Sequence, residues 1–295
     1  MDTSNAKPRF LRWLPFIAVF QTDLRQTPRN WVWRMWVAAS LGAAFCYLIY
    51  RFGIYREGGI LQSASRVFSD LLHWIVLGSL TLIVVFTAGA ISSDRGTLAD
   101  SVLSRGISRY QYFLAKLSAR MVSVLFTYFA LCVLVLIGCH FLLHDQLSLD
   151  SPDSIVANRP PAVSATPSAP ASSFGTIAEP HGGGMGLSFF GSVRAVVTVA
   201  AILMAVVAAG VTFSALTGNS VVGITLLWAL LYGGGFLLSL LPTKYLTPDR
   251  LLMQLPRILR GFYDPEALGR LTNQALLATL IISLIGLLGF ARSDV

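Results

Sequence analysis

From Ala195 to Thr243 the chain carries no Asp, Glu, Lys or Arg, and the turn-forming Thr217-Gly218-Asn219-Ser220 lies near the middle of that run. A stretch about twice the length of one bilayer-spanning helix reads as two spans joined by a tight turn. A second charge-free run, Leu71 to Ser93, reaches about 34 Å as a helix, enough to cross a hydrocarbon core with little tilt. Runs of this kind make lipid the solvent. The composition agrees, with 55 % hydrophobic and 12 % charged residues where a soluble domain has about 25 % charged. The expected fold class is an all-α integral membrane protein with six transmembrane helices near 31–51, 71–92, 117–143, 193–216, 221–241 and 273–291.

Residues 1–30 precede these spans as an amphipathic segment. Phe10, Trp13, Leu14, Ile17, Phe20 and Leu24 recur at helical spacing, while Arg9, Arg12, Gln21, Asp23 and Arg25 take the other face, the pattern of a helix lying in the headgroup plane. Pro15, Asp23 and Arg25 interrupt it and no small-residue cleavage site follows, so it does not read as a signal peptide. The six-helix domain then occupies 31–295 and contains three long connections, at 93–116, 144–190 and 242–272. Residues 144–190 hold six of the thirteen prolines together with Ala, Ser and Gly182-Gly183-Gly184, a composition that cannot build a core and reads as an external loop or insertion. In 242–272, Thr247-Pro248 and Asp264-Pro265 each resemble an N-cap followed by Pro at the first helical position. Leu251, Leu252, Leu255, Ile258, Leu259 and Phe262 share a face opposite Arg250, Arg257 and Arg260, with Pro256 placed to kink the helix. Two short helices at the membrane surface, or dipping into it, are expected.

Other chemistry is excluded by what the spacing lacks. The net charge of +8 is spread over loops without interleaved aromatics, which favours lipid headgroups over nucleic acid. Cys46, Cys132 and Cys139 all fall in apolar runs, so neither disulfides nor a thiolate metal site is indicated and small core residues are expected. Lys7, Lys116 and Lys244 follow Ala, Ala and Thr, so the chain has no phosphate-binding Gly-Lys-Ser/Thr. No Ser/His/Asp or paired-carboxylate constellation occurs in the spans, and no catalytic residue is assigned. His140 and His144, one turn apart near Asp145, read as interfacial groups in preference to a metal pair, and His73 likewise. Arg120 and Arg194 read as snorkelling side chains at span ends. Gly233-Gly234-Gly235 reads as close helix packing, ahead of a break in the fifth span. With the N-terminus inside, twelve basic residues fall on the inner side and ten on the outer; the bias is larger around the first span, which places both termini in the cytoplasm.

The connection ISSDRGTLADSVLSRGISRYQYFLAK, residues 91–116, is charged and capped. Thr97 with Asp100, and Ser108 with Gln111, each have capping-box spacing. They frame a short helix over about 98–104, a turn at Arg105-Gly106, and a long helix that enters the membrane. Leu98, Val102 and Leu103 give the short helix an apolar side outside the bilayer, which calls for a partner protein.

Gly96-Thr97-Leu98, Leu103-Ser104, Ile107-Ser108-Arg109 and Lys116, together with six spans, an amphipathic N-terminal helix, short helices in the last external loop and the ending Phe290-Ala291-Arg292-Ser293-Asp294, resemble ABC-2 type transport permeases. Asp94 stands where that family commonly has Glu, Gly106 replaces its usual Pro, and the 144–190 loop is longer than typical. The resemblance implies the type V exporter-like architecture with an N-terminal elbow helix. It implies that Asp94, Gly96, Thr97, Leu98, Asp100, Val102, Leu103, Arg105, Ser108 and Arg109 form a coupling helix docked on a cytoplasmic ATPase subunit. Two such subunits would hold ATP and Mg, none being bound by this chain, and a second permease copy or paralogue would complete the transporter in a bacterial inner membrane. The near absence of charge in the spans favours a lipid-like, amphipathic or polymeric cargo. Two alternatives stand beside it: transmission of motion to a periplasmic partner at 144–190 without bulk transport, and an ion-coupled carrier or membrane scaffold without an ATPase.

Overall fold

The computed structural model describes residues 13–58, 64–92, 107–149, 189–240, 248–259 and 263–292. Among these the chain is helical almost throughout. The helices are α1 (Leu14–Gln26), α2 (Trp31–Gly58), α3 (Ala64–Ala88), α4 (Arg109–Leu149), α5 (Phe189–Thr217), α6 (Ser220–Ser239), α7 (Pro248–Leu259) and α8 (Pro265–Arg292), with a single 3-10 turn at Thr27–Arg29 between α1 and α2. Six of them, α2, α3, α4, α5, α6 and α8, are long and apolar enough to cross a membrane. The fold is that of a multi-pass helical membrane protein.

Each of the six lies where the apolar runs place it, five of them beginning earlier than expected and α3 and α6 also ending earlier. α3 begins at Ala64 and includes Asp70; it stops at Ala88, and a turn fills 89–92. α4 starts at Arg109 and continues to Leu149, so the first residues of the expected 144–190 loop are helical. The second short helix expected in 242–272 does not stand apart: Asp264 Oδ1 accepts the Glu266 N–H at 3.0 Å, and the helix it caps is α8 itself. The cap was legible; the lone Gly269 between Pro265 and the last apolar run is tolerated inside a helix, and the two merge.

α3 and α5 form the interior, with 56 % and 67 % of their spanning segments buried, against 11 % for α6 and 17 % for α2 and α8. Small residues bring these helices together. Gly210 of α5 lies against Thr87 of α3, and Gly286 of α8 lies against Thr212 of α5 and Phe113 of α4. The expected α5–α6 hairpin forms as the turn chemistry requires. Gly218 adopts a φ of 66°, a conformation that costs a side-chain-bearing residue, and Asn219 Oδ1 accepts the Val221 N–H at 3.0 Å.

α7 is not a surface helix alone. Its Leu251, Leu255, Ile258 and Leu259 are buried while Met253 is exposed, and the Ile258 carbonyl packs against Gly191 at the start of α5. Pro248 and Leu251, at its other end, line a cavity with Val199 and Leu203 of α5. α7 therefore runs beside the first half of α5 and carries Pro256 within its length.

Two expectations fail here. A side chain added at Gly233, Gly234 or Gly235 would meet nothing within 4 Å, and α6 passes through all three unbroken, so they serve neither close packing within the chain nor a break. Cys132 is buried as a core residue, but Cys46 is exposed on the outer surface of α2.

Candidate functional site

Residues 93–106, with Asp94, Gly96, Thr97, Leu98, Asp100, Val102, Leu103 and Arg105, lie outside the described residues; Ser108, Arg109 and the two helix ends that carry the segment lie within them. Both ends are fixed to other helices. On the α3 side, the backbone N–H groups of Ile91 and Ser92 each donate to Ser214 Oγ of α5 at 3.0 Å. Ser214 and Ile91 are fully buried, so that hydroxyl satisfies an Ile91 N–H that water cannot reach. On the α4 side, Ser108 and Gln111 form the expected capping box: Ser108 Oγ accepts the Gln111 N–H at 3.3 Å and Gln111 Oε1 accepts the Ser108 N–H at 3.4 Å. Arg109 Nη1 then donates to the Ala291 carbonyl of α8 at 3.4 Å, and Phe290 packs its ring on Tyr112 and Phe113 at 6.3 and 6.1 Å between centroids.

A third attachment was not legible as such. Asp23 of α1, assigned to a polar outer face, is 2 % exposed. Its Oδ1 accepts from Lys116 Nζ at 2.8 Å and from Arg120 Nη2 at 3.3 Å, and its Oδ2 lies 3.3 Å from Arg120 Nε. The Arg120 guanidinium also stacks 4.1 Å over the Phe86 ring of α3. Arg120 is therefore not a snorkelling residue but part of a buried ion-pair cluster joining α1, α3 and α4. The physical reason is geometric: Lys116, Arg120, Ser123 and Thr127 recur on one face of α4, and that face meets α1 and the start of α2. Thr27 Oγ1 lies 3.3 Å from Ser123 Oγ, and Trp33 Nε1 donates to Thr127 Oγ1 at 3.2 Å. The spacing of the stripe was available in the sequence; its partner, 93 residues away, was not. α1 meanwhile turns Trp13, Leu14 and Ile17 outward, an apolar outer face suited to a lipid surface.

These contacts place α1, the turn that follows α3, the start of α4, the α5–α6 turn and the end of α8 at one end of the bundle. At the opposite end, Arg51 of α2 bridges Asp70 of α3 at 3.2 Å with Tyr47 donating to the same carboxylate at 2.9 Å. There too Arg194, at the start of α5, donates to the Tyr263 hydroxyl at 2.9 Å and remains exposed, as a span-end arginine should.

Compared with family models, curated proteins and solved structures, the chain matches none.

Proposed function

We propose that this chain is the membrane subunit of an ABC-2 type exporter, in which residues 94–109 dock on a cytoplasmic ATPase subunit. The observation that carries the reading is that the loop's two ends are fastened to different helices, through Ser214 to the interior helix α5 and through Arg109 to the end of α8. A displacement imposed on such a loop is passed to the spans instead of being absorbed by slack connections. ATP and Mg belong to the ATPase subunits, two per complex, and a second copy of this chain or a paralogue completes the assembly. α1 acts as the elbow helix, locked to α4 by Asp23. The termini face the cytoplasm of a bacterial cell and the cargo is lipid-like, amphipathic or polymeric.

The test is recovery of partners from a mild detergent extract of the tagged chain. The reading expects a P-loop ATPase to co-purify with the wild type and to be lost from Leu98→Asp/Leu103→Asp. It expects Arg109→Ala, which removes a docking residue and the tie to the Ala291 carbonyl, to lower ATP-driven export about tenfold, a loss worth about 1.4 kcal/mol of coupling. An intact complex with unchanged transport in Leu98→Asp/Leu103→Asp sinks the proposal.

A further inference from the structure

Three consecutive glycines in a spanning helix need a reason, because each gives up side-chain packing and backbone order that alanine would keep. Gly233, Gly234 and Gly235 have no close neighbour, and among the described glycines only Gly218 takes a positive φ. Neither usual role of glycine applies to them. What Gly234 and Gly235 do is line a cavity of about 720 Å³ between α3, α5, α6 and α7.

The cavity walls are apolar: Val84 of α3, Leu203 and Val206 of α5, Leu231 of α6 and Leu252 of α7 are representative, with Thr81 among the few hydroxyl groups. It sits well inside the spans, at residues 76–84 of α3 and 199–206 of α5. The Trp228 and Tyr232 rings stack at 4.7 Å on its α6 side. Water is a poor occupant, since an apolar cavity of about 150 Å³ already stays dry and takes up benzene, and water needs two to four polar partners. Left empty, it would forfeit dispersion contacts at its buried wall residues, such as Val84, Leu203 and Leu251. Its volume falls within the roughly 300–1,000 Å³ of ligand pockets. Six membrane-crossing helices surround the chain with one abundant apolar filler at that depth.

We propose that this cavity is a lipid site that holds one acyl chain of a bilayer phospholipid, and that Gly234 and Gly235 keep it open. The inference rests on the cavity and the spanning helices, not on the exporter reading. It separates the glycine run from simple helix packing: the missing side chains make room for a ligand.

The experiment reconstitutes the full chain in nanodiscs of phosphatidylcholine carrying a diazirine midway along one acyl chain, followed by irradiation and peptide mapping. The expected result is adducts on cavity residues of α5 and α6 at several times the yield per residue found on the outward faces of α2 and α8, such as Phe45 and Leu284. Gly234→Leu/Gly235→Leu should cut the cavity adducts at least fivefold and leave those on Phe45 and Leu284 unchanged. Gly233→Leu, beside the cavity lining but not part of it, should leave both unchanged. Cavity yields no higher than the outward faces in the wild type overturn the proposal, and this arm does not depend on any variant folding. So does labelling by a diazirine fatty acid but not by the phospholipid. A shift in oligomeric state in Gly234→Leu/Gly235→Leu with adducts retained also overturns it, since the glycines would then pack a second copy.

Discussion

Asp23 holds two cations within 3.3 Å of its carboxylate in surroundings nearly closed to water. A buried ion pair of this kind contributes little over a well-packed apolar replacement, yet removing one member leaves charge without its partner. Asp23→Asn is therefore expected to destabilise the protein by about 3–5 kcal/mol, because Lys116 and Arg120 keep their charges and lose the carboxylate they share. Asp23→Leu/Lys116→Met/Arg120→Met should recover most of that loss. Thermal unfolding in detergent, followed by fluorescence or by loss of the monodisperse peak, checks both; equal damage from the single and triple changes would show that α1 is held by something other than this cluster. The sequence displayed all the charges but not their meeting. An aspartate after Phe20, opposite an apolar stripe, is indistinguishable from a solvated one until α4 is seen to present its own polar stripe to it.

At the scale of elements, the bundle is assembled by pairs that exchange small side chains and hydroxyls. The end of α3 is the clearest case, since Ser214 alone receives the N–H groups of Ile91 and Ser92. Ser214→Ala should cost about 1–3 kcal/mol, the range for burying donors without an acceptor, whereas Ser283→Ala, whose hydroxyl only returns to the Thr279 carbonyl in its own helix, should change little. Hydrogen exchange at Ile91 and Ser92 supplies the local readout: faster exchange there, with α8 unaffected, is the expected pattern, and unchanged exchange would place the restraint elsewhere. The helices themselves were legible from apolar run length and capping residues such as Ser108 and Asp264. Where a capped turn runs on into a span was not always legible: 265–272 was expected as a separate short helix and instead forms the first turns of α8, because an amphipathic turn continues a helix outside the apolar run as readily as it stops.

For the whole molecule, sidedness is the property the chain expresses most faintly. Lys116 and Arg120 supply the margin of two by which inner basic residues outnumber outer ones, and both are buried against Asp23, where they are weaker orientation signals than loop charges. The contacts do fix which pieces share an end: α1 joins α4 at Lys116, and α4 joins the end of α8 at Arg109. In a chain with its native cysteines replaced, Gln21→Cys and Asn219→Cys should thus label from one side of the membrane and Glu266→Cys from the other. A membrane-impermeant maleimide applied to intact cells should reach only Glu266→Cys if the termini are cytoplasmic. Labelling of Gln21→Cys and Asn219→Cys from opposite sides would contradict the fold.

By itself the sequence determined how many helices are long and apolar enough to cross a bilayer, the turn at Gly218, and the caps at Ser108 and Asp264, because each depends on residues close together along the chain. Only the tertiary structure decided that Asp23 is buried, that Ser214 and the end of α8 clamp the ends of the 93–106 segment, and that Gly234 and Gly235 face a cavity. Those facts belong to helices brought together from distant parts of the chain, and in lipid an inward and an outward apolar face have the same composition. Run length can therefore count spans, but which face of each span meets which neighbour is set by packing alone.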